Sequence, residues 1–124
     1  MEYMRQALEL AEEALSVSHP NPPVGAVVVK DGKVAGRGHT MHIGGAHAEV
    51  VAIAEAGDLA AGATLYTTLE PCCHVGRTPP CTELILKSGI VRVLVALQDP
   101  DPRVCGEGIS RLRAAGLEVI TGLL

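Results

Sequence analysis

The sequence predicts an α/β fold, a three-layer α/β/α sandwich around a five-stranded mixed sheet. Three observations carry this expectation. The run at 24–30 is almost unbroken and apolar, as in a strand buried on both faces, 91–97 reads as another buried strand, and 63–69 has strand length and pattern. Segments with helical periodicity separate the later runs, so those strands should lie parallel, joined by right-handed crossovers. Asp31-Gly32, between the first two strand candidates, is a hairpin signal that adds an antiparallel pair.

Met4, Ala7, Leu8, Ala11, Ala14 and Leu15 place an apolar stripe on a helix over residues 2–17. Ser18-His19-Pro20-Asn21-Pro22-Pro23 cannot continue it, because proline lacks an N–H and drives the residue before it out of the helical region. Val24 to Lys30 is the first strand and Lys33 to His39 its return. After Gly44-Gly45, residues His47 to Ala56 read as a helix that Gly57 ends, followed by a strand from Ala63 to Leu69. Pro79-Pro80 open a helix to about Lys87, with Gly89 as its stop. Val91 to Leu97 is the next strand, Gly106 to Ala115 a helix closed by Gly116, and Leu117 to Thr121 the last strand. Ligand sites in such sheets lie beyond the C-terminal strand ends, and the segment after Leu69 leaves such an end.

Length and composition limit what this fold can do. At 124 residues the chain is one domain, and 48% hydrophobic against 19% charged residues is enough for a core. Tyr3 and Tyr66 are its only aromatic residues, so the core is aliphatic and base stacking on aromatic platforms is disfavoured. A net charge of -4 argues against a nucleic-acid partner held through phosphates. There is no apolar run of membrane-spanning length, and Met1-Glu2-Tyr3-Met4-Arg5 does not read as a signal peptide, so no membrane association and a cytoplasmic location are expected.

Cys72, Cys73 and Cys81 fall within ten residues rich in Pro, Gly and His, a cluster that in a reducing compartment reads as metal-binding rather than disulfide-forming. Cys105 stands apart and reads as a small buried hydrophobe. His47 opens the second helix, Cys72 follows the third strand, and Cys81 falls in the first turn of the third helix. One imidazole and two thiolates are three protein ligands, the zinc pattern that leaves a coordination position open. A helix N-terminus favours a thiolate and disfavours a protonated imidazole, and both effects assist metal binding. Two thiolates also offset the formal charge of Zn²⁺, so water there needs a base, and Glu49, two residues past His47, is the candidate. Taken singly, the histidine could be structural and the glutamate could merely complement the helix dipole. Together, His-x-Glu followed by Pro-Cys and a second Cys match the zinc deaminase pattern, except that eight residues rather than two separate Cys72 from Cys81.

That spacing narrows the comparison. Asn21-Pro22-Pro23-Val24-Gly25, His47-Ala48-Glu49-Val50, the stretch Thr68 to Cys81 and Gln98-Asp99-Pro100-Asp101-Pro102 resemble the deaminase domain of the bacterial riboflavin biosynthesis protein RibD, over essentially the whole chain. The resemblance implies a cytidine deaminase-like fold. It also implies hydrolytic loss of the 2-amino group of 2,5-diamino-6-(5-phosphoribosylamino)pyrimidin-4(3H)-one, with release of ammonia. Carried over, His47, Cys72 and Cys81 hold Zn²⁺, Glu49 moves protons and Asn21 lines the pocket. The substrate's phosphate suits the loop between the cysteines: Arg77 offers a planar fork, His74 and Thr78 further donors, and a helix N-terminus follows.

Three departures stand out. Cys73 occupies a position that is usually serine. Thr40 stands where the family has a histidine seven residues before the zinc histidine, and His39 and His42 flank it as substitutes or as solvated loop residues. Proteins of this family usually continue into an NADPH-binding reductase domain, whereas this sequence runs to Leu124; both a stand-alone deaminase, with a reductase domain or partner supplied separately, and the N-terminal half of a bifunctional protein fit that expectation. A homo-oligomer is expected. The competing readings are a deaminase of cytidine, guanine or tRNA adenosine, and a structural zinc module. The tRNA version is weakened by the acidic charge, and the module by its need for a fourth protein ligand.

Overall fold

The computed structural model describes residues 2–13, 24–39, 48–69, 81–97 and 107–122. Their elements are α1 (Glu2–Glu13), β1 (Gly25–Lys30), β2 (Lys33–His39), α2 (Ala48–Ala56), a 3₁₀ turn (Gly57–Ala60), β3 (Thr64–Leu69), α3 (Cys81–Ser88), β4 (Arg92–Leu97), α4 (Glu107–Ala114) and β5 (Glu118–Thr121). The sheet order is β2-β1-β3-β4-β5. β1 pairs antiparallel with both β2 and β3, and β3, β4 and β5 are parallel, which is the expected mixed sheet.

The hairpin forms where Asp31-Gly32 predicts it. Both residues have positive φ, 51° and 76°, as a two-residue turn of the primed kind requires. The Tyr3 hydroxyl donates to the Gly32 carbonyl oxygen at 2.8 Å and ties α1 to the turn. Val28 pairs with Gly36 and Val29 with Val34, so Ala35 is the extra residue of a bulge.

Side chains alternate between two aliphatic cores. Val27, Val29, Leu94 and Ala96 pack with Met4 and Ala7 of α1. Ala26, Val28, Leu65, Val93, Val95 and Val119 pack on the other face with Ala52 of α2, Ile85 of α3 and Leu112 of α4. Among the described residues, helices α2, α3 and α4 thus cover one face and α1 alone the other. The rings of Tyr3 and Tyr66 meet on the α1 side, 5.4 Å between centroids and tilted by 52°.

The expected boundaries hold within a residue where described. Gly57 ends α2 with φ 57°, but the chain then makes a 3₁₀ turn that the sequence pattern did not reveal and that buries Ala60. Residues 14–17 of the expected first helix, the proline-rich connection at 18–23, Pro79-Pro80, Cys105 and Gly106 lie outside the described residues.

The strand directions give the sheet two unlike edges. The start of β1 and the ends of β2, β3, β4 and β5 all lie on one edge, because β1 alone runs against the others. The opposite edge carries tight turns. There Gly62 N–H donates to the Gly89 carbonyl at 2.8 Å, Val91 N–H to Ala63 at 3.1 Å and Leu117 N–H to Leu112 at 3.1 Å.

Candidate functional site

The position of α2 is set by two glycines. A methyl group built on Gly36 would run into the Ala52 carbonyl oxygen and come within 2.8 Å of Ala56 N. One on Gly38 would strike the Ala48 carbonyl oxygen and come within 2.8 Å of both Ala52 N and Val51 Cβ. The helix backbone therefore rests directly on β2, antiparallel to it. Only glycine permits that approach. Ala48 lies beside Gly38, next to the end of β2, so α2 opens at the edge where the strands end.

Glu49 is the second residue of α2 and is only 5% exposed. A carboxylate in a helical first turn is favoured by the dipole, yet charges there are usually solvated, and a buried one marks a polar interior. Thr67, Thr68 and Thr82 are the other polar side chains buried among the described residues. All four lie at one edge of the sheet, with Thr67 on the face that α2 and α3 cover and Thr68 on the α1 face. Thr67 and Thr68 close β3, and the Thr68 hydroxyl oxygen accepts a 3.1 Å bond from the Gly25 N–H at the start of β1. Thr82 is the second residue of α3, which leaves the same edge after β3. Helices α2 and α3 pack together with both N-termini at this edge. Their dipoles converge on one region and favour anionic ligands there.

Of the residues singled out from the sequence, Glu49 falls inside this site. Cys81 is the first residue of α3, so its backbone stands at the site edge. His39 ends β2 at the same edge and is partly buried. His47, Cys72, Cys73, Asn21, His42, His74, Arg77 and Thr78 lie outside the described residues. Among the described residues, no three His, Cys, Asp or Glu side chains gather into a metal-binding group. Sequence reasoning missed Thr67, Thr68 and Thr82. A threonine pair ending a buried strand and a threonine directly after Cys81 were the available signals.

The chain belongs to the family described as the cytidine and deoxycytidylate deaminase zinc-binding region, whose profile matches residues 1–97. It is 56% identical over 121 residues to the riboflavin biosynthesis protein RibD of Aquifex aeolicus, a match covering 98% of this chain and 34% of that protein. Among solved structures it is similar to Acinetobacter baumannii RibD, with a TM-score of 0.96 at 49% identity, covering 98% of this chain and 34% of that one. A Rib2 deaminase of Aspergillus oryzae aligns with a TM-score of 0.77 at 27% identity, over 98% of this chain and 84% of that one. The resemblance read from the motifs and the cytidine deaminase-like fold are thus borne out. The chain spans about a third of the length of the curated relative. No helix among the described residues is long and apolar enough to cross a membrane.

Proposed function

We propose that this chain is a zinc-dependent deaminase acting on 2,5-diamino-6-(5-phosphoribosylamino)pyrimidin-4(3H)-one. The observation that carries the reading is Glu49, a carboxylate buried in the first turn of α2 at the edge where the strands end. RibD relatives at this level of identity support the substrate class.

The donor set fits zinc: imidazole and thiolate are ligands Zn²⁺ prefers, and a buried hydroxyl beside Cys81 without a partner among the described residues suits an anionic site. His47, Cys72 and Cys81 would hold the ion. Bound there, it supplies Lewis acidity that makes water nucleophilic near neutral pH. Glu49 takes a proton from the attacking water as a carbon–oxygen bond forms at C2. It passes protons to the ring nitrogen and to the departing amine, so the carbon–nitrogen bond breaks and ammonia leaves. One water is consumed, no electrons change hands, and no redox cofactor is needed.

The surrounding contacts belong to the same proposal. Asn21 and His42 line the pyrimidine pocket. Arg77, His74 and Thr78 hold the phosphate, Arg77 through paired charge-assisted bonds. The working form is a cytoplasmic homo-oligomer, with a reductase acting on the product, either on the same polypeptide or on a separate one. The test is ammonia release with the diaminopyrimidine ribotide, cytidine, guanine and a tRNA anticodon loop side by side. Zinc-dependent turnover of the ribotide alone is expected. Turnover of one of the others in its place would overturn the substrate assignment.

A further inference from the structure

β5 is an outer strand of the sheet, with β4 on one side and no strand on the other among the described residues. The Glu118 N–H donates to the Val91 carbonyl oxygen at 3.2 Å, so Glu118 and Ile120 turn their main-chain groups towards β4. Val119 and Thr121, at the alternate positions, turn theirs outward. An outward row of N–H and C=O groups is a template for a further strand. The side chains encourage one. Val119, Ile120 and Thr121 are consecutive β-branched residues, and the register with β4 runs from Glu118 to Thr121 without a bulge. The opposite outer strand, β2, is blunted by its own sequence, through the bulge at Ala35 and the exposed cations Lys33 and Arg37. The one charge on β5, Glu118, is paired with Arg92 of β4. The blunting group comes instead from α4. Nη2 of Arg113 donates at 2.9 Å to the Val119 carbonyl oxygen, one of the outward acceptors. The helix dipole favours a cation in this last turn without any such reach, and Arg111 of the same turn pairs with Glu83 instead.

We infer that Arg113 guards the open side of β5: by occupying the Val119 carbonyl it keeps a second copy of this chain from adding its own β5 there. Such pairing is self-complementary. About a two-fold axis the two β5 strands run antiparallel, and the outward groups of Val119 and Thr121 on each serve the other. A guanidinium on Val119 takes the acceptor that this ladder needs. It also sets two like charges against each other across the axis. The guard is independent of the metal reading of the site.

The experiment is light scattering and amide hydrogen exchange of the full chain over a range of concentrations, with wild type, Arg113→Ala, Arg111→Ala, and Arg113→Ala combined with Thr121→Pro. Arg111→Ala removes the same charge from the same helical turn and leaves the Val119 bond in place. Proline at 121 removes an outward N–H and no bond to β4. Arg113→Ala is expected to form species larger than the wild-type assembly as concentration rises, with exchange at Val119 and Thr121 slowing by about fivefold, the scale of a single backbone hydrogen bond. Arg111→Ala and the double variant are expected to keep the wild-type mass. Arg113→Ala that keeps the wild-type mass at every concentration overturns the inference; a lowered melting temperature in its place would assign the bond to the joint between α4 and β5. Equal association in Arg111→Ala would trace the effect to net charge, and association that persists in the double variant would place the contact elsewhere. Either result overturns the inference as well.

Discussion

Gly38→Ala tests whether β2 sets the position of Glu49. The added methyl would stand 2.8 Å from Val51 Cβ and 2.8 Å from Ala52 N, and it would collide with the Ala48 carbonyl oxygen. Carbon atoms rest at about 3.5–4.0 Å, so the first turn of α2 must withdraw by about 1 Å. Overpacking of this kind destabilises by about 1–3 kcal/mol. Displacing a proton-transfer group by that distance lowers turnover by about 10²-fold. Gly36→Ala is the internal control. Its methyl meets Ala52 and Ala56 instead, one turn further along α2 and away from Glu49. It should lose similar stability and retain more turnover. Thermal melting and ammonia release on the two purified variants would separate the effects. Unaltered melting and turnover in Gly38→Ala would refute the reasoning, and equal turnover losses in both variants would refute the placement of Glu49 by the Gly38 contact.

Glu49→Gln should hold about one zinc per chain while turnover falls by ~10²–10⁴-fold, since only the proton carrier is removed; substantial residual turnover would contradict the mechanism. Cys81→Ser, by contrast, should lose metal, which elemental analysis would reveal. Arg77→Ala should lower kcat/KM on the ribotide by about 2–3 kcal/mol and scarcely affect a dephosphorylated analogue; equal losses on both substrates would remove the phosphate role. Arg111 pairs with Glu83 across α3 and α4, but their side chains are 53% and 35% exposed. Arg111→Ala should therefore change stability by less than about 1 kcal/mol in denaturant titration.

The fold was legible because its strands are buried and aliphatic while its turns carry explicit chemistry. Asp31-Gly32 signalled the hairpin, and Gly89 and Gly116, both with positive φ, stop their helices as expected. Of the candidate site, the His-x-Glu spacing singled out Glu49, which is buried in the first turn of α2, while His47 and Cys72 lie outside the described residues. What could not be read depends on partners distant in sequence. Gly36 and Gly38 look like weaknesses in a strand until a helix backbone is laid on them. Thr82 looks like an ordinary first-turn residue until its burial is known. Which face each helix covers follows from crossover geometry and packing, and periodicity alone does not assign α1 to a face by itself.

The unlike edges of the sheet divide the molecule between constancy and change. At one edge the chain reverses in a few residues, with backbone bonds such as Gly62 to Gly89 stitching neighbouring turns together. A length change there would disturb strand register directly. At the other edge the described strands stop at His39, Leu69 and Leu97, and β1 begins at Gly25. The connections joined at those points can differ in length and composition while every paired residue of the sheet keeps its neighbour. A new substrate preference can therefore arise by rewriting linkers without renegotiating the core.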